Sequence, residues 1–242
     1  MVIGMRSKIV SWIKQKVKTS KAKGIVLGLS GGLDSAVVAV LCKEAVGKSR
    51  LLVLFMPCNS HAQDLKDAKL VAARLGLKLK SVDLSGVYNN FLKVLPPAGK
   101  LAQGNLKPRL RMSALYYFAN KLNYLVCGTG NKSELMAGYF TKYGDGGVDI
   151  LPIGGLFKRQ VCKLARELKI PQNIIAKPPT AGLWPGQTDE GELGISYDEL
   201  DDILEKLCNN KKQAADRAKV KRIKKMHKNS EHKRKSAQIC HI

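Results

Sequence analysis

Residues 23–45 read KGIVLGLSGGLDSAVVAVLCKEA, and the fold turns on the centre of that stretch, Ser30-Gly31-Gly32-Leu33-Asp34-Ser35. The apolar run Ile25, Val26, Leu27 enters a loop with two adjacent glycines, and a second apolar run, Ala36 to Leu41, follows at helical length. This order predicts a buried strand, a tight turn and a helix whose first turn faces the loop. Adjacent glycines let backbone N–H groups converge on one point, and the helix N-terminus adds the positive end of its dipole. With the hydroxyls of Ser30 and Ser35, the loop is a candidate phosphate seat. It has no lysine where GxxxxGK[ST] requires one, and its spacing is not GxGxxG. Asp34 ends the loop instead, and a carboxylate beside phosphate calls for an intervening cation, such as Mg²⁺ held by carboxylate and phosphate oxygens. The plainer alternative is a glycine turn in which Asp34 caps the helix.

Outward from this unit, RLLVLFM at 50–56 is a continuous apolar run, as a strand buried on both faces must be. Leu65, Ala68, Val71, Ala72 and Leu75 then fall at helical spacing before Gly76, and LKLKSVDL at 77–84 alternates like a strand nearer an edge. The resulting β-α-β-α-β order predicts a parallel sheet with right-handed crossovers and a site at the carboxyl ends of the strands. Helices are expected at 87–94, at 105–122 with Pro108 near its start, and at 157–168. A strand at 124–127 runs into Gly128-Thr129-Gly130-Asn131-Lys132-Ser133-Glu134, a second loop–helix junction at the same edge. FTKYGDGG at 140–147 is a shaped loop. The eighteen residues 177–194, rich in Pro, Gly and acid, are expected to form a mobile lid. An acidic helix at 196–207 and a basic one at 213–226 follow, and an amphipathic helix carrying Ile9, Trp12, Ile13 and Val17 comes first.

The expected fold is α/β, a doubly wound parallel sheet with helices on both faces and helical N- and C-terminal additions. We divide the single domain into an N-terminal helix (1–20), a nucleotide-binding sheet core (21–176), the lid (177–194) and C-terminal helices with a basic tail (195–242).

A chain of 242 residues with 45% hydrophobic and 25% charged residues can bury a sizeable core. No apolar run approaches the ~20 residues that span a bilayer, and the first residues lack a signal-peptide core, so a soluble, cytoplasmic protein is expected. The six cysteines form no CxxC pair, which favours buried thiols in a reducing compartment; Cys240-His241, beside the end, is not taken as a metal pair. Net charge is +23, and 209–242 alone holds twelve Lys/Arg against two acids. Nucleic acid, an anionic small substrate or plain solubility would each account for this, so charge does not decide the partner.

Ser30–Ser35 resembles the SGGxDS pyrophosphate loop of the N-type ATP pyrophosphatases, whose fold is adenine nucleotide alpha hydrolase-like. GNLKPRLRM (104–112), GTGNKSE (128–134), FTKYGDGGVDILPIGGLFKRQV (140–161), PPTAGLWPGQTDEGELGISYDELD (178–201) and EHKR (231–234) narrow this. In that order they resemble the small ammonia-dependent NAD⁺ synthetases, from about residue 23 to the tail. The resemblance implies ATP-dependent amidation of deamido-NAD⁺ (nicotinate adenine dinucleotide) to NAD⁺. The nicotinate carboxylate attacks the α-phosphorus of ATP, pyrophosphate leaves, and ammonia then displaces AMP from the adenylate.

Carried over residue by residue, the resemblance assigns ATP to Gly28, Leu29, Ser30, Gly31, Gly32, Leu33, Asp34, Ser35, Thr129, Lys158 and Thr180. It assigns Mg²⁺ to Asp34 and Glu134, and deamido-NAD⁺ to Arg109, Lys142, Asp149, His232 and Lys233, with Lys158 and Asp149 as catalytic groups. The chemistry suits these roles: Arg109 can clamp a phosphate bidentately, and Lys158 can offset charge growing at phosphorus. Each has a blander alternative: Arg109 and Lys142 as solvated charges, Asp149 as a turn cap, Glu134 as a first-turn acid, His232-Lys233-Arg234 as basic tail. The family often has a proline soon after HKR, and HKRKSAQICHI has none.

The family is a homodimer, so a homodimer is implied. Glutamine-dependent relatives carry an extra amidase domain for which the sheet leaves no room, so ammonia is the expected direct donor unless a separate glutaminase delivers it. Neither a membrane nor nucleic acid is expected as partner. The competing readings are another ATP pyrophosphatase, such as a tRNA-modifying enzyme or GMP synthetase, and a nucleic-acid-binding protein that keeps a dead nucleotide fold.

Overall fold

The computed structural model describes residues 2–209 and 216–240. Four parallel strands form one sheet in the order β3-β2-β1-β4: β1 is Gly24–Gly28, β2 Leu51–Phe55, β3 Leu79–Ser81 and β4 Tyr124–Cys127. β1 lies in the middle, pairing Ile25 with Leu51 on one side and with Leu125 on the other. Helix α1 (Val2–Thr19) precedes it. The connection from β1 to β2 carries α2 (Leu33–Val46), that from β2 to β3 carries α3 (Ala62–Leu75), and that from β3 to β4 carries α4 (Ser85–Val94), α5 (Lys100–Gly104) and α6 (Leu106–Leu122).

Alternation along β1 divides the core between two faces. Ile25 and Leu27 pack in a cluster with residues of α1, α2 and α3, whereas Val26 packs with Tyr88, Leu115 and Ala119 of α4 and α6. Because both faces of the sheet are covered, β1, β2 and β4 are apolar along their length, whereas the edge strand β3 exposes Lys80 and Ser81. The doubly wound arrangement therefore agrees with the expectation, and α1 docks through Ile13 and Val17 as the amphipathic pattern predicts. Cys42 and Cys127 meet across the α2–β4 contact with their Sγ atoms 3.6 Å apart.

After β4 come α7 (Lys132–Ala137) and α8 (Lys158–Glu167), then α9 (Gln172–Ile175), α10 (Asp189–Leu193), α11 (Tyr197–Cys208), α12 (Arg217–Asn229) and α13 (Glu231–Arg234). Leu200, Ile203 and Leu204 of α11 and Val220 and Ile223 of α12 form a separate apolar cluster with Phe157 and Ala137, fastening the C-terminal helices beside α7 and α8.

One expectation is corrected. The strand expected over 77–84 pairs regularly only over Leu79–Ser81, because Asp83 accepts the N–H of Ser85 and turns the chain into α4. The helix expected over 105–122 is observed as α6, with Asn105 as its N-cap and a separate short helix, α5, before it. The stretch 177–194 contains α10, whose N-cap Thr188 accepts the N–H of Gly191. The basic helix expected at 213–226 is observed as α12; residues 213–215, like His241, lie outside the described residues. Among the described residues no helix is long and apolar enough to cross a membrane.

Candidate active site

The loops leaving the adjacent strands β1 and β4 meet at the N-terminus of α2. In the first, Gly32 is the N-cap of α2 with no side-chain cap, so the first-turn N–H groups of a fourteen-residue helix stay available. Ser35 donates its hydroxyl to the Gly32 carbonyl (2.9 Å) and accepts the N–H of Ser30 (3.2 Å), while Ser30 Oγ accepts the N–H of Gly32 (3.2 Å). These bonds fold the loop into a cup at a helix N-terminus, a general anion seat. Gly31 sits at φ +83°, pressed against the first turns of α3.

Asp34 does not cap α2, which removes the plainer alternative for it. Its carboxylate reaches across the cup: Oδ2 accepts Lys158 Nζ at 2.5 Å and Oδ1 accepts Asn131 Nδ2 at 3.1 Å. Asn131 and Glu134 form a capping box at the start of α7, each side chain accepting the other's backbone N–H. Glu134 Oε1 is thereby aimed at the same ammonium, 3.4 Å from Lys158 Nζ. Lys158 opens α8 and is 5% exposed; its backbone N–H donates to Ser133 Oγ (2.9 Å), and its ammonium lies 5.0 Å from the centre of the Tyr197 ring. Asp201, fully buried, accepts the Ser133 hydroxyl and the N–H of Arg159, holding the starts of α7 and α8 against α11.

One ammonium thus serves two partly buried carboxylates. Burial opposes the charge on Lys158, but Asp34 and Glu134 outweigh it and raise its pKa. Burial, countered by Lys158 and reinforced by Asp34, pushes Glu134 up to about 8. Asp189, 4% exposed, accepts the Tyr197 hydroxyl at Oδ2 (3.0 Å), and its Oδ1 is buried without a hydrogen-bond partner.

The site opens into a cavity of about 1130 Å³. Gly28, Leu29, Ser30, Gly32, Leu33, Asp34, Ser35, Thr129, Glu134, Lys158, Thr180 and Lys233 line it, so the sequence-predicted ATP and metal residues converge there except for Gly31, which faces α3. Arg109, Lys142, Asp149 and His232 lie outside its wall. Three of these form a chain of contacts, Arg109 Nε donating to the Lys142 carbonyl (3.4 Å) and Lys142 Nζ to the His232 carbonyl (2.6 Å). Lys233 donates to the carbonyls of Gly138 (2.8 Å) and Phe140 (2.9 Å), tying α13 to the loop after α7. Asp149 accepts the Tyr116 hydroxyl (2.9 Å) and the N–H of Val126 (2.7 Å), so both oxygens brace the end of β4.

Sequence reasoning did not single out Asn131, Asp189, Asp201 or Arg111. Arg111 lines the cavity, donating to the Met56 carbonyl (3.0 Å) and Ser60 Oγ (3.2 Å). Only Asn131 left a local signal, the N-x-x-E spacing of a capping box.

Among the described residues no three acidic, His or Cys side chains cluster as a ready metal cage. The donor set nonetheless fits Mg²⁺, which takes one or two carboxylates and completes its shell with water and phosphate oxygens. Asp34 and Glu134 already converge on one cationic centre, the Lys158 ammonium.

Comparison with known proteins agrees with this geometry. The family model described as NAD synthase matches residues 5–237. The NH(3)-dependent NAD(+) synthetase of Archaeoglobus fulgidus is 48% identical over 237 residues, covering 97% of this chain and 95% of that one. The structure of NMN synthetase from Francisella tularensis superposes with a TM-score of 0.92 at 38% identity over 100% of this chain and 99% of that one. The NH3-dependent NAD synthetase from Campylobacter jejuni, solved with a nitrate ion, gives 0.87 at 33% identity over 100% of both chains. With the matched model and relatives spanning nearly its whole length, the chain belongs to the NAD synthase family.

Proposed function

We propose that the protein is an ammonia-dependent NAD⁺ synthetase, a ligase that adenylates the nicotinate carboxylate of deamido-NAD⁺ with ATP and passes the activated acyl group to ammonia. One observation carries this: Asp34, Glu134 and Lys158 converge at the uncapped N-terminus of α2, where a triphosphate has both its seat and its counter-charge. The N–H groups of the loop and the Ser30 and Ser35 hydroxyls receive the pyrophosphate. Lys158 offsets the negative charge that grows as the carboxylate attacks the α-phosphorus. A carboxylate is a poor electrophile, and joining it to AMP supplies the leaving group that ammonia displaces. When bound by Asp34 and Glu134, Mg²⁺ would neutralise phosphate charge and orient the leaving pyrophosphate. Residues 177–194 supply Thr180, Trp184 and Asp189 to the cavity wall and are proposed as a lid that keeps water from the adenylate.

Arg109, Lys142, Asp149 and His232 are proposed to bind the part of deamido-NAD⁺ that extends beyond the cavity. A homodimer completes this outer region, supported by the exposed stripe Val87, Phe91 and Val94 on α4, whose spacing puts all three on one helix face. We place the enzyme in the cytoplasm, where its six free cysteines stay reduced.

A second reading concerns the acid. The likeness to an NMN synthetase, together with a cavity wall that does not include Arg109, Lys142 or His232, favours nicotinate mononucleotide as an alternative substrate. Protein incubated with ATP, Mg²⁺, ammonium and either acid should yield AMP and pyrophosphate with the corresponding amide. Arg109→Ala should impair the dinucleotide reaction and spare the mononucleotide one. Asp34→Ala and Glu134→Ala should abolish both, and Cys240→Ala neither. Conversion of ATP to ADP and orthophosphate would contradict the proposal.

A further inference from the structure

The first residue of 177–194 is tied to the helix that seats the phosphate loop. Lys177 Nζ lies 2.9 Å from Asp64 Oδ1 and 2.7 Å from Asp67 Oδ2, both in the first two turns of α3. Asp67 is almost fully buried, and its other oxygen accepts Gln63 Nε2 at 2.8 Å, so the acceptor is fixed on both sides. The same turns pack against Gly31: a Cβ there would sit 2.6 Å from the Asp64 carbonyl oxygen and 2.9 Å from Asp67 Cβ. Loop and segment therefore rest on one short piece of helix.

Beyond Lys177 the segment is braced as a unit. Asp189 donates its N–H to the Pro179 carbonyl (3.0 Å), Thr180 its hydroxyl to the Gln187 carbonyl (2.8 Å), and Leu183 its N–H to Gln187 Oε1 (2.7 Å). Its tip docks on α5, where Trp184 and Leu183 lie within 3.2 Å of the point a Cβ on Gly104 would occupy. A braced segment held at its first residue moves with that residue.

We propose that Lys177 is a positioning residue that couples the seating of a nucleoside triphosphate in the phosphate loop to closure of residues 177–194, through the first turns of α3. Phosphate drawn into the cup loads Gly31, Gly31 bears on Asp64 and Asp67, and these hold Lys177 and the segment behind it. The proposal rests on the preceding assignment of ATP to the loop, but not on the acid or on amide formation.

Hydrogen exchange of the full-length protein with and without Mg-ATP tests it. In the wild type, ATP should slow exchange at 29–35 and also at 177–194, the latter by roughly tenfold, within the usual range for coupled sites. Lys177→Met should keep the slowing at the loop and lose it in the segment, and Lys177→Arg should restore both. Because the single variant leaves Asp67 buried without its cation, Lys177→Met/Asp67→Asn is the folding control and should behave like Lys177→Met. Equal protection of the segment in wild type and Lys177→Met overturns the proposal, as does a wild-type segment indifferent to ATP. Joint loss of loop and segment protection in a folded Lys177→Met protein also overturns it. Intact coupling without amidation of either acid would sink the enzymatic assignment and leave the coupling standing.

Discussion

Adding one methyl group to the phosphate loop should have opposite consequences at two adjacent glycines. Gly31 occupies φ +83°, where an L side chain costs about 1–2 kcal/mol. A Cβ on it would meet the Asp64 carbonyl oxygen at 2.6 Å and the Ala68 nitrogen at 3.1 Å, both backbone atoms of α3 that cannot rotate away. Relieving that overlap should cost about 1–3 kcal/mol more, as for other overpacked sites. Gly31→Ala should therefore lose about 2–5 kcal/mol in equilibrium denaturation, a fall of roughly 5–15 °C in Tm for a chain of this size. Gly32 has φ −90°, and its added Cβ would find nothing nearer than Ser30 Oγ at 3.4 Å. Gly32→Ala should stay within about 1 kcal/mol of the wild type, the scale of a changed N-cap, yet raise the KM for ATP because Gly32 lines the cavity. Equal stability losses in the two variants, or a Gly31→Ala protein as stable as the wild type, would show that the loop is not seated on α3 as described.

Lys158→Met leaves Asp34 and Glu134 facing each other in a buried site without a cation, so it should destabilise the protein by about 3–5 kcal/mol and abolish AMP production. Calorimetry and an AMP assay measure the two effects separately. Glu134 gives a pH signature in buffers free of divalent cations. Its folded pKa of about 8 lies above the ordinary 4.5, so the folded protein retains a proton that the unfolded chain has released. That contribution to stability is full below pH 4.5, declines as pH rises to about 8 and then levels off, with a slope of at most about 1.4 kcal/mol per pH unit. Glu134→Gln keeps the carbonyl that accepts the Asn131 N–H and should flatten the slope between those limits; an unchanged profile would assign the titration elsewhere.

What the chain made legible depended on how far apart the interacting groups lie. The strand at 51–55 and the loop–helix unit after β1 follow from contiguous apolar runs and neighbouring glycines, so local pattern suffices. The polar scaffolding of the site does not. Asp201 lies in an acidic stretch that reads as a solvated helix face, but its partner Ser133 is 68 residues away and the residue is fully buried. Asn131 meets Asp34 across 97 residues, and Lys177 meets Asp67 across 110. Periodicity carries no information about such pairs, because each partner looks like an ordinary surface polar residue until the sheet assembles. Asp149 is a further case: the order of motifs marks the position, whereas its contacts to Tyr116 and Val126, 33 and 23 residues away, leave no local signal.

The residues proposed to meet the triphosphate hang from two adjacent strands, β1 and β4, through loops 28–35 and 128–134. The Arg109–Lys142–His232 chain belongs instead to a helix, a glycine loop and the C-terminal tail, and shares no residue with those loops. On the proposed function, leaving-group chemistry and recognition of the acid's distal half are thus wired to separate stretches of polypeptide. Grafting a different outer rim onto this sheet would change which acids are admitted while leaving the adenylating machinery in register.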